Sequence, residues 1–251
     1  ALRDIQTICW ATMRYFGRGT LQSLQDEGFL THFEFEQLER SLHFLWQVRY
    51  ALHMLAGREE DRLLFNLQRE IATLLGFEDT KSQLSVEQFM GRYYRNQLAT
   101  VELCDLLLLH FNEDFMKSDR DPVIEVVNDQ FILHNDFLKM REPDLFSREP
   151  HWLLEVFLLM ARTPQAKGIH SRTIRALREN RHLIDESYRK NPKHNAIFME
   201  LLRNHSRVVG ELTRMMRYGI LGRYIPEFGD IIGMMEHDLF HIYTVDEHSL
   251  R

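Results

Sequence analysis

The sequence predicts a mostly α-helical protein of two bundle-like helical units with one small β-hairpin. Three observations support this class. Two long stretches in the first half repeat apolar residues at three- and four-residue spacing, the period of an amphipathic helix. One short β-rich stretch near the middle surrounds an Asn-Asp pair, which is typical of a hairpin. Further helical patterns with Pro or Ser near their starts follow it.

Composition limits the classes of function. The chain has 251 residues, of which 44% are hydrophobic, so it is long enough to bury a sizeable core. Its net charge of -6 argues against a general nucleic-acid-binding surface. No apolar run reaches the roughly 18–20 residues that a membrane span needs. The two cysteines, Cys9 and Cys104, are too few for a disulfide or metal framework, which fits a reducing cytoplasm.

The N-terminal pattern predicts a helix followed by a shorter one. Thr20 is placed to cap the shorter helix, and Gly28 to end it. The predicted buried face of the first helix consists of Leu2, Ile5, Cys9, Met13 and Phe16.

The next helix has the clearest start signal in the chain. Thr31 and Glu34 form a capping-box pattern, with Leu30 and Phe35 in the positions of a hydrophobic staple. Gly57 is placed to end this helix. Its predicted stripe is Phe35, Leu38, Leu42, Leu45, Arg49, Leu52 and Leu55.

A second long helix is predicted from Ser85, and the two long helices favour an antiparallel bundle. Its predicted stripe is Met90, Tyr93, Gln97, Val101, Cys104, Leu108, Phe111 and Phe115. Arg49 and Gln97 interrupt the two stripes. We interpret them as a polar pair or a snorkelling arginine inside a bundle, and the alternative is a buried contact to a neighbouring domain.

The pattern changes after this helix. Segments 123–127 and 130–134 are β-rich and flank Asn128-Asp129, which predicts a hairpin with a two-residue turn as the only β-structure. We place the boundary between the two helical units near residues 118–122. Further helices are expected from Pro150 to Arg162, from a cap at Ser171, from Pro192, and from Ser206 to about Gly219.

Short motifs for chemistry are weak. His237 and His241 have the spacing of a zinc-binding pair, but Asp238 follows the first histidine where a zinc protease needs Glu. A basic stripe of Arg172, Arg175, Arg178 and His182 could meet a phosphate or an acidic partner. We favour a solvated helix face, since nearby acidic residues dilute its charge.

Long runs of residues carry more information than these motifs. The informative stretches are "LRDIQTICWATMRYFG", "FLTHFEFEQLERSLHFLWQVRYALHMLAGREEDRLLFNLQREIA", "LMARTPQAKGIHSRTIRALR", "YGILGRYIPEFGDIIG" and "HDLFHIYTVDEHSLR". Together they resemble bacterial PII uridylyltransferase/uridylyl-removing enzymes over essentially the whole chain. Both ends lie inside helical patterns, so we expect an internal fragment of such a protein. The resemblance implies three regions: 1–117 after the nucleotidyltransferase domain, 118–240 as hairpin plus helical linker, and 241–251 as the start of an HD domain.

The resemblance also implies roles for particular residues. His248 in "TVDEH" matches the first metal ligand of the HD-type site that removes UMP, and the His-Asp doublet of that site is expected beyond residue 251. His237-Asp238 could be taken for that His-Asp doublet, but on this interpretation its likeness to the doublet is a coincidence. Arg3 and Asp4 match a position at the edge of the transferase site. The Mg²⁺ ions, UTP and glutamine are expected to bind domains outside this chain, and PII is the expected protein partner. The chain itself is expected to be inactive and to hold no cofactor.

Two alternatives remain. A glutamine synthetase adenylyltransferase shares related transferase and helical segments, but it lacks the HD domain that "YTVDEHSL" indicates. A non-enzymatic helical interaction module belongs to a different class. A reading frame with Gly-Ser and Asp-x-Asp upstream and a His-Asp doublet downstream would separate the enzyme from both.

Overall fold

A computed structural model describes residues 1–115, 121–204, 206–235 and 243–251. These residues form fourteen α-helices and one four-stranded sheet, which confirms the mostly α-helical class. The helices are α1 (Leu2–Phe16), α2 (Leu21–Asp26), α3 (His32–Ala56), α4 (Phe65–Leu74), α5 (Ser85–Phe115), α6 (Leu145–Arg148), α7 (Trp152–Arg162), α8 (Ser171–Asn180), α9 (Glu186–Lys190), α10 (Pro192–Leu202), α11 (Val208–Arg217), α12 (Leu221–Tyr224), α13 (Pro226–Ile231) and α14 (Val245–Ser249). The strands are β1 (Ile124–Val126), β2 (Phe131–His134), β3 (Phe137–Met140) and β4 (Gly168–Ile169).

The chain divides into two compact units. Unit 1 contains residues 1–105 and 231–249, and unit 2 contains 106–230 with 250–251. The change of unit along the chain falls inside α5, whereas the predicted boundary at 118–122 lies mostly outside the described residues. The division into 1–117, 118–240 and 241–251 stays a prediction. A segment close to the C-terminus packs with the N-terminal helices, which the order of the sequence does not indicate.

The core of unit 1 joins α3, α4 and the start of α5. Its buried residues are Phe44, Val48, Ala51, Leu52, Leu67, Ile71, Ala72, Val86, Phe89 and Met90. Phe77 meets Phe89 edge-on, with ring centroids 5.8 Å apart. Aromatic pairs of this geometry add to the hydrophobic stabilisation that their burial provides.

Local signals define the ends of α2 and α3. The Thr20 hydroxyl accepts a hydrogen bond from the Ser23 N–H at 3.1 Å, as predicted for the cap of α2. At α3 the Glu34 N–H donates to Thr31 Oγ1 at 3.2 Å, and the Thr31 N–H donates to Glu34 Oε2 at 2.9 Å. The capping box is therefore confirmed. Gly57 ends α3 with a φ of 64°, in the left-handed region.

Several predicted stripes are displaced around their helices. In α1 the buried residues are Ile5, Ile8 and Thr12, while Met13 is exposed. In α3 Phe44, Val48 and Ala51 join the core, which the predicted stripe missed. In α5 the prediction was wrong at Leu108, which is exposed, because this 31-residue helix serves two units in succession and its buried face changes along its length.

The sheet of unit 2 is larger than the predicted hairpin. Strands β1, β2 and β3 are antiparallel neighbours, and β4 pairs with β3 in parallel. The hairpin of β1 and β2 is confirmed, but the expectation that it is the only β-structure was wrong. The tight two-residue turn is Asn135-Asp136, with φ values of 50° and 67°, whereas four residues, 127–130, link β1 to β2. Positive φ at both positions matches the right-handed twist of a hairpin.

Helices pack on this sheet and on one another. Helix α8 contacts β3 and α6, while α7 contacts α10 and α11. Pro192 opens α10 as predicted, with the Asn191 side chain accepting from the Lys193 N–H at 2.9 Å. The predicted caps Ser171 and Ser206 were wrong: His170 is the N-cap of α8, and Arg207 is that of α11.

No helix among the described residues is long and apolar enough to cross a membrane.

Candidate functional site

A cavity of about 620 Å³ opens in unit 1 beside α1, α3 and α5. That volume is within the usual range of small-molecule sites. Its apolar lining is Leu2, Ile5, Leu42, Leu45, Val48, Leu52 and Leu63. Its polar and aromatic lining is Arg3, Gln6, Trp46, Arg49, Asp61, Tyr93 and Gln97. Both polar positions that interrupt the predicted stripes therefore face this cavity.

Arg49 is held by an acid that follows α3 in the chain. Its Nε lies 2.8 Å from Asp61 Oδ1 and its Nη2 lies 3.1 Å from Asp61 Oδ2, a bidentate pair. The His53 ring lies 3.4 Å from the same Oδ1. Hydrogen bonds from Arg49 and then His53 hold the pKa of Asp61 below its usual value. The guanidinium also lies 5.4 Å from the centroid of the Trp46 ring.

Gln97 has a different partner from Arg49. Its amide Nε2 donates to the Tyr93 hydroxyl at 2.8 Å, one turn earlier on α5. Both polar side chains are therefore satisfied inside unit 1. The described contacts thus give Arg49 and Gln97 different partners, and not the polar pair that one interpretation predicted.

Arg3 and Asp4 lie at the start of α1. The Arg3 side chain is exposed and lines the cavity. Only the family resemblance pointed to this residue. Asp4 Oδ2 lies 2.7 Å from the amino group of Ala1. The structure thus places both predicted edge residues in unit 1, with Arg3 at the cavity.

The two cysteines are poor nucleophiles. Burial, followed by the charges of Asp4 and Asp105, raises the pKa of the Cys104 thiol to about 12. Burial also raises the pKa of Cys9. Because the thiolate is the reactive form, neither residue suits cysteine chemistry near neutral pH.

His248 lies on α14 and is exposed. The preceding Asp246 is only 4% exposed, and its Oδ1 accepts the Gly233 N–H at 2.9 Å. Unit 1 therefore contains Arg3, Asp4 and His248 together.

The described ranges contain no group of three or more His, Cys, Asp or Glu side chains arranged to hold a metal. A structural or hydrolytic metal site takes several ligands from the protein, so the role of His248 as a metal ligand stays a prediction. His237, Asp238 and His241 lie outside the described residues, and their predicted roles stay untested.

The predicted basic stripe, which runs along α8 and ends at His182 just beyond it, is only partly a solvated face. Arg172 and His182 are exposed, whereas Arg175 and Arg178 are half-buried and make contacts of their own. His182 Nδ1 lies 2.8 Å from the Glu179 carbonyl oxygen. The stripe is therefore not a row of free cations.

A buried polar cluster in unit 2 escaped sequence reasoning. Glu113, near the end of α5, accepts the Ser171 N–H at 2.9 Å and also the Ser171 hydroxyl. His170 Nδ1 lies 3.2 Å from Glu113 Oε2, and the His170 ring lies 5.6 Å from that of His134. Burial, followed by the positive charge of Lys139, lowers the pKa of His170 to about 3.

This cluster acts as a tertiary cap. A carboxylate at the first turn of α8 satisfies orphan N–H groups and complements the helix dipole. The Ser171 hydroxyl is bonded to the acid and not to the histidine, so the three residues do not form a nucleophile–base pair. Glu113 and Ser171 are 58 positions apart, and no sequence spacing could have linked them.

Two family models match the chain. The model described as "GlnD PII-uridylyltransferase" matches residues 1–108, and "Uridylyltransferase GlnD third domain" matches 131–224. The first match covers the N-terminal segment of unit 1, and the second lies within unit 2.

Curated relatives match almost the whole chain. Proteins named "Bifunctional uridylyltransferase/uridylyl-removing enzyme" are 51% identical in Pseudomonas aeruginosa and 49% identical in Pseudomonas putida and Azotobacter vinelandii, each over 249 residues and 99% of this chain. The chain spans 28% of the length of these relatives. No solved structure matches it.

Proposed function

Because this chain belongs to the GlnD uridylyltransferase family, we propose that it is the helical connector of a bifunctional enzyme that acts on the PII protein. The enzyme transfers UMP from UTP to PII with release of diphosphate, and it removes UMP from modified PII by hydrolysis. Glutamine controls which of the two reactions prevails: UMP is added to PII when glutamine is scarce and removed when glutamine is abundant. We place this enzyme in the cytoplasm.

The observation that carries this proposal is identity of about one half along 249 residues. A match of that length is specific because it includes both helical units and the segments between them. One family model lies almost wholly in unit 1 and the other lies within unit 2, so the support does not come from one short segment.

The chemistry assigned to this chain is limited. Arg3 and Asp4 lie at the edge of the transferase site, where an exposed guanidinium can meet a phosphate group. His248 supplies an imidazole to the hydrolytic site. Mg²⁺, when bound by other parts of the enzyme, would stabilise the attacking and leaving oxygens of nucleotidyl transfer.

Unit 1 explains how one connector can serve both reactions. It contains Arg3 and Asp4 from one end of the chain and His248 from the other. A displacement of a packed unit moves all the side chains that it carries, which is a common basis for coupling between sites. We therefore assign to unit 1 the role of coupling the two opposing activities.

The test uses the full-length enzyme that contains this chain. His248→Ala should lower UMP removal by at least about 100-fold, as expected for loss of a metal ligand, while UMP addition stays near the wild-type rate. His43→Ala is the matched control, because His43 is an exposed histidine of α3 in the same unit.

Two results would contradict the proposal. If His248→Ala removes UMP at the wild-type rate, the role of His248 is wrong. If the full-length wild-type protein neither modifies PII with UTP and Mg²⁺ nor demodifies it, the enzymatic assignment fails and a non-catalytic helical module becomes the better description.

A further inference from the structure

Two hydrogen bonds tie the first residues of α14, the helix that carries His248, to residues 233–234 of unit 1. The Gly233 N–H donates to Asp246 Oδ1 at 2.9 Å, and the Val245 N–H donates to the Met234 carbonyl at 2.9 Å. Asp246 is 4% exposed. A buried carboxylate is costly unless it is hydrogen-bonded, so this bond matters more than one at the surface.

Gly233 in turn lies against α5. Its φ is +71°, and a Cβ added there would lie 3.0 Å from Arg95 Cγ and 3.2 Å from the Arg95 backbone nitrogen. The same atom would be 3.4 Å from the Gly91 carbonyl oxygen. Only glycine combines this backbone conformation with such a close approach. The turn at Gly233 is therefore seated directly on the backbone of α5.

Helical geometry explains why the His248 side chain is exposed to solvent while Asp246 is buried. Successive residues of an α-helix are rotated by about 100°. Asp246 is buried. Burial is the first cause of the raised pKa of Tyr94 on α5, and the charge of Glu247 is the second. His248 and Ser249 are exposed. The orientation of the imidazole thus depends on how Asp246 holds the first turn of α14.

We propose that Asp246 is a positioning residue: its hydrogen bond to Gly233 fixes α14 on α5 and so orients His248 for the removal of UMP. This inference rests on the proposed function. It assigns no contact between Asp246 and substrate or metal, and Asp246 acts only through the helix that carries His248.

The experiment measures structure and activity in the full-length enzyme. Asp246→Ala removes the acceptor, and loss of a bond to a charged group corresponds to about 10–100-fold in an opening equilibrium. We expect amide hydrogen exchange in peptides covering 231–235 and 243–251 to accelerate by about that factor. The kcat of UMP removal should fall by about 10–100-fold, whereas UMP addition should stay near wild type.

Conservative and control variants separate positioning from general damage. Asp246→Asn keeps an acceptor oxygen and should recover most of the protection and of the removal activity. Gly233→Ala should reproduce the Asp246→Ala phenotype, because its Cβ meets Arg95. Gly91→Ala is the matched control, since its Cβ would find only ordinary contacts of 3.4 Å or more. Asp230→Ala tests loss of an exposed aspartate from the same stretch.

Either of two outcomes overturns the proposal. In one, Asp246→Ala leaves exchange in 243–251 at the wild-type rate. In the other, exchange accelerates but UMP removal does not fall, although His248→Ala abolishes it. Failure of the proposed function is distinguishable, because then either the wild-type enzyme removes no UMP or His248→Ala removes it at the wild-type rate, whatever the exchange data report for Asp246.

Discussion

Replacing Thr31 by alanine tests the start of the longest helix contained wholly in unit 1. The side chain of Thr31 makes two hydrogen bonds there. Its hydroxyl accepts the Glu34 N–H at 3.2 Å and donates to Glu34 Oε2 at 3.1 Å. The Thr31 N–H bond to the same carboxylate uses backbone and survives the substitution. Only the hydroxyl bonds are therefore lost.

The size of the effect follows from those bonds. Loss of an N-cap costs about 0.5–2 kcal/mol, and Glu34 is largely buried, so we expect about 1–2 kcal/mol from the upper half of that range. A change of 1 kcal/mol shifts the melting temperature of a domain of 150–250 residues by about 2–4 °C. The melting temperature should therefore fall by about 2–8 °C.

Circular dichroism during thermal and urea unfolding measures this change. Thr31→Ser keeps the hydroxyl and should stay close to wild type. Thr73→Ala is the control for loss of a threonine inside a helix, because Thr73 is exposed on α4 and alanine is the better helix former. An unchanged melting temperature for Thr31→Ala, or equal losses for the Ser and Ala variants, would refute the reasoning.

Three further predictions concern pH, a helix end and activity. Burial keeps the pKa of His170 near 3 in the folded chain. The unfolded chain therefore binds a proton at His170 more readily than the folded chain does. The free energy of unfolding should then decrease as pH falls from about 6.5 toward 3, by up to about 1.4 kcal/mol per pH unit. Urea unfolding of wild type and His170→Gln at several pH values isolates this slope, and parallel curves would contradict it. Gly57→Ala should cost about 1 kcal/mol because φ is +64°, whereas Gly210→Ala, which meets nothing within 4 Å, should be neutral or stabilising in the same melts. The 251-residue chain alone should neither transfer nor remove UMP, and steady uridylylation of PII by the purified chain with UTP and Mg²⁺ would contradict this.

Elements with local signals were predictable from the sequence. The capping box of Thr31 and Glu34, the end of α3 at Gly57 and the cap at Thr20 all depend on residues at most four positions from the end that they define. A hydrogen bond of this kind forms wherever the helix starts, whatever packs on it later. Long stretches of sequence also identified the family, since the match extends along nearly all of the chain.

Local patterns were less reliable where two similar signals compete. Asn128-Asp129 and Asn135-Asp136 are the same dipeptide, and the tight turn with positive φ forms at the second. Which pair turns tightly depends on the register between β2 and β3, where Phe131 faces Met140. Register follows from burial of one face of the sheet, which lies beyond the turn itself.

The tertiary structure alone decided the long-range partners. Leu138 pairs with Ile169 across the parallel strands, and Glu113 caps a helix that starts 58 positions later. It also placed His248 in the same unit as Arg3, by seating Gly233 on α5 and bonding it to Asp246. Periodicity reports which face of a helix is apolar, but not which distant segment covers it, because that choice depends on how the whole chain packs.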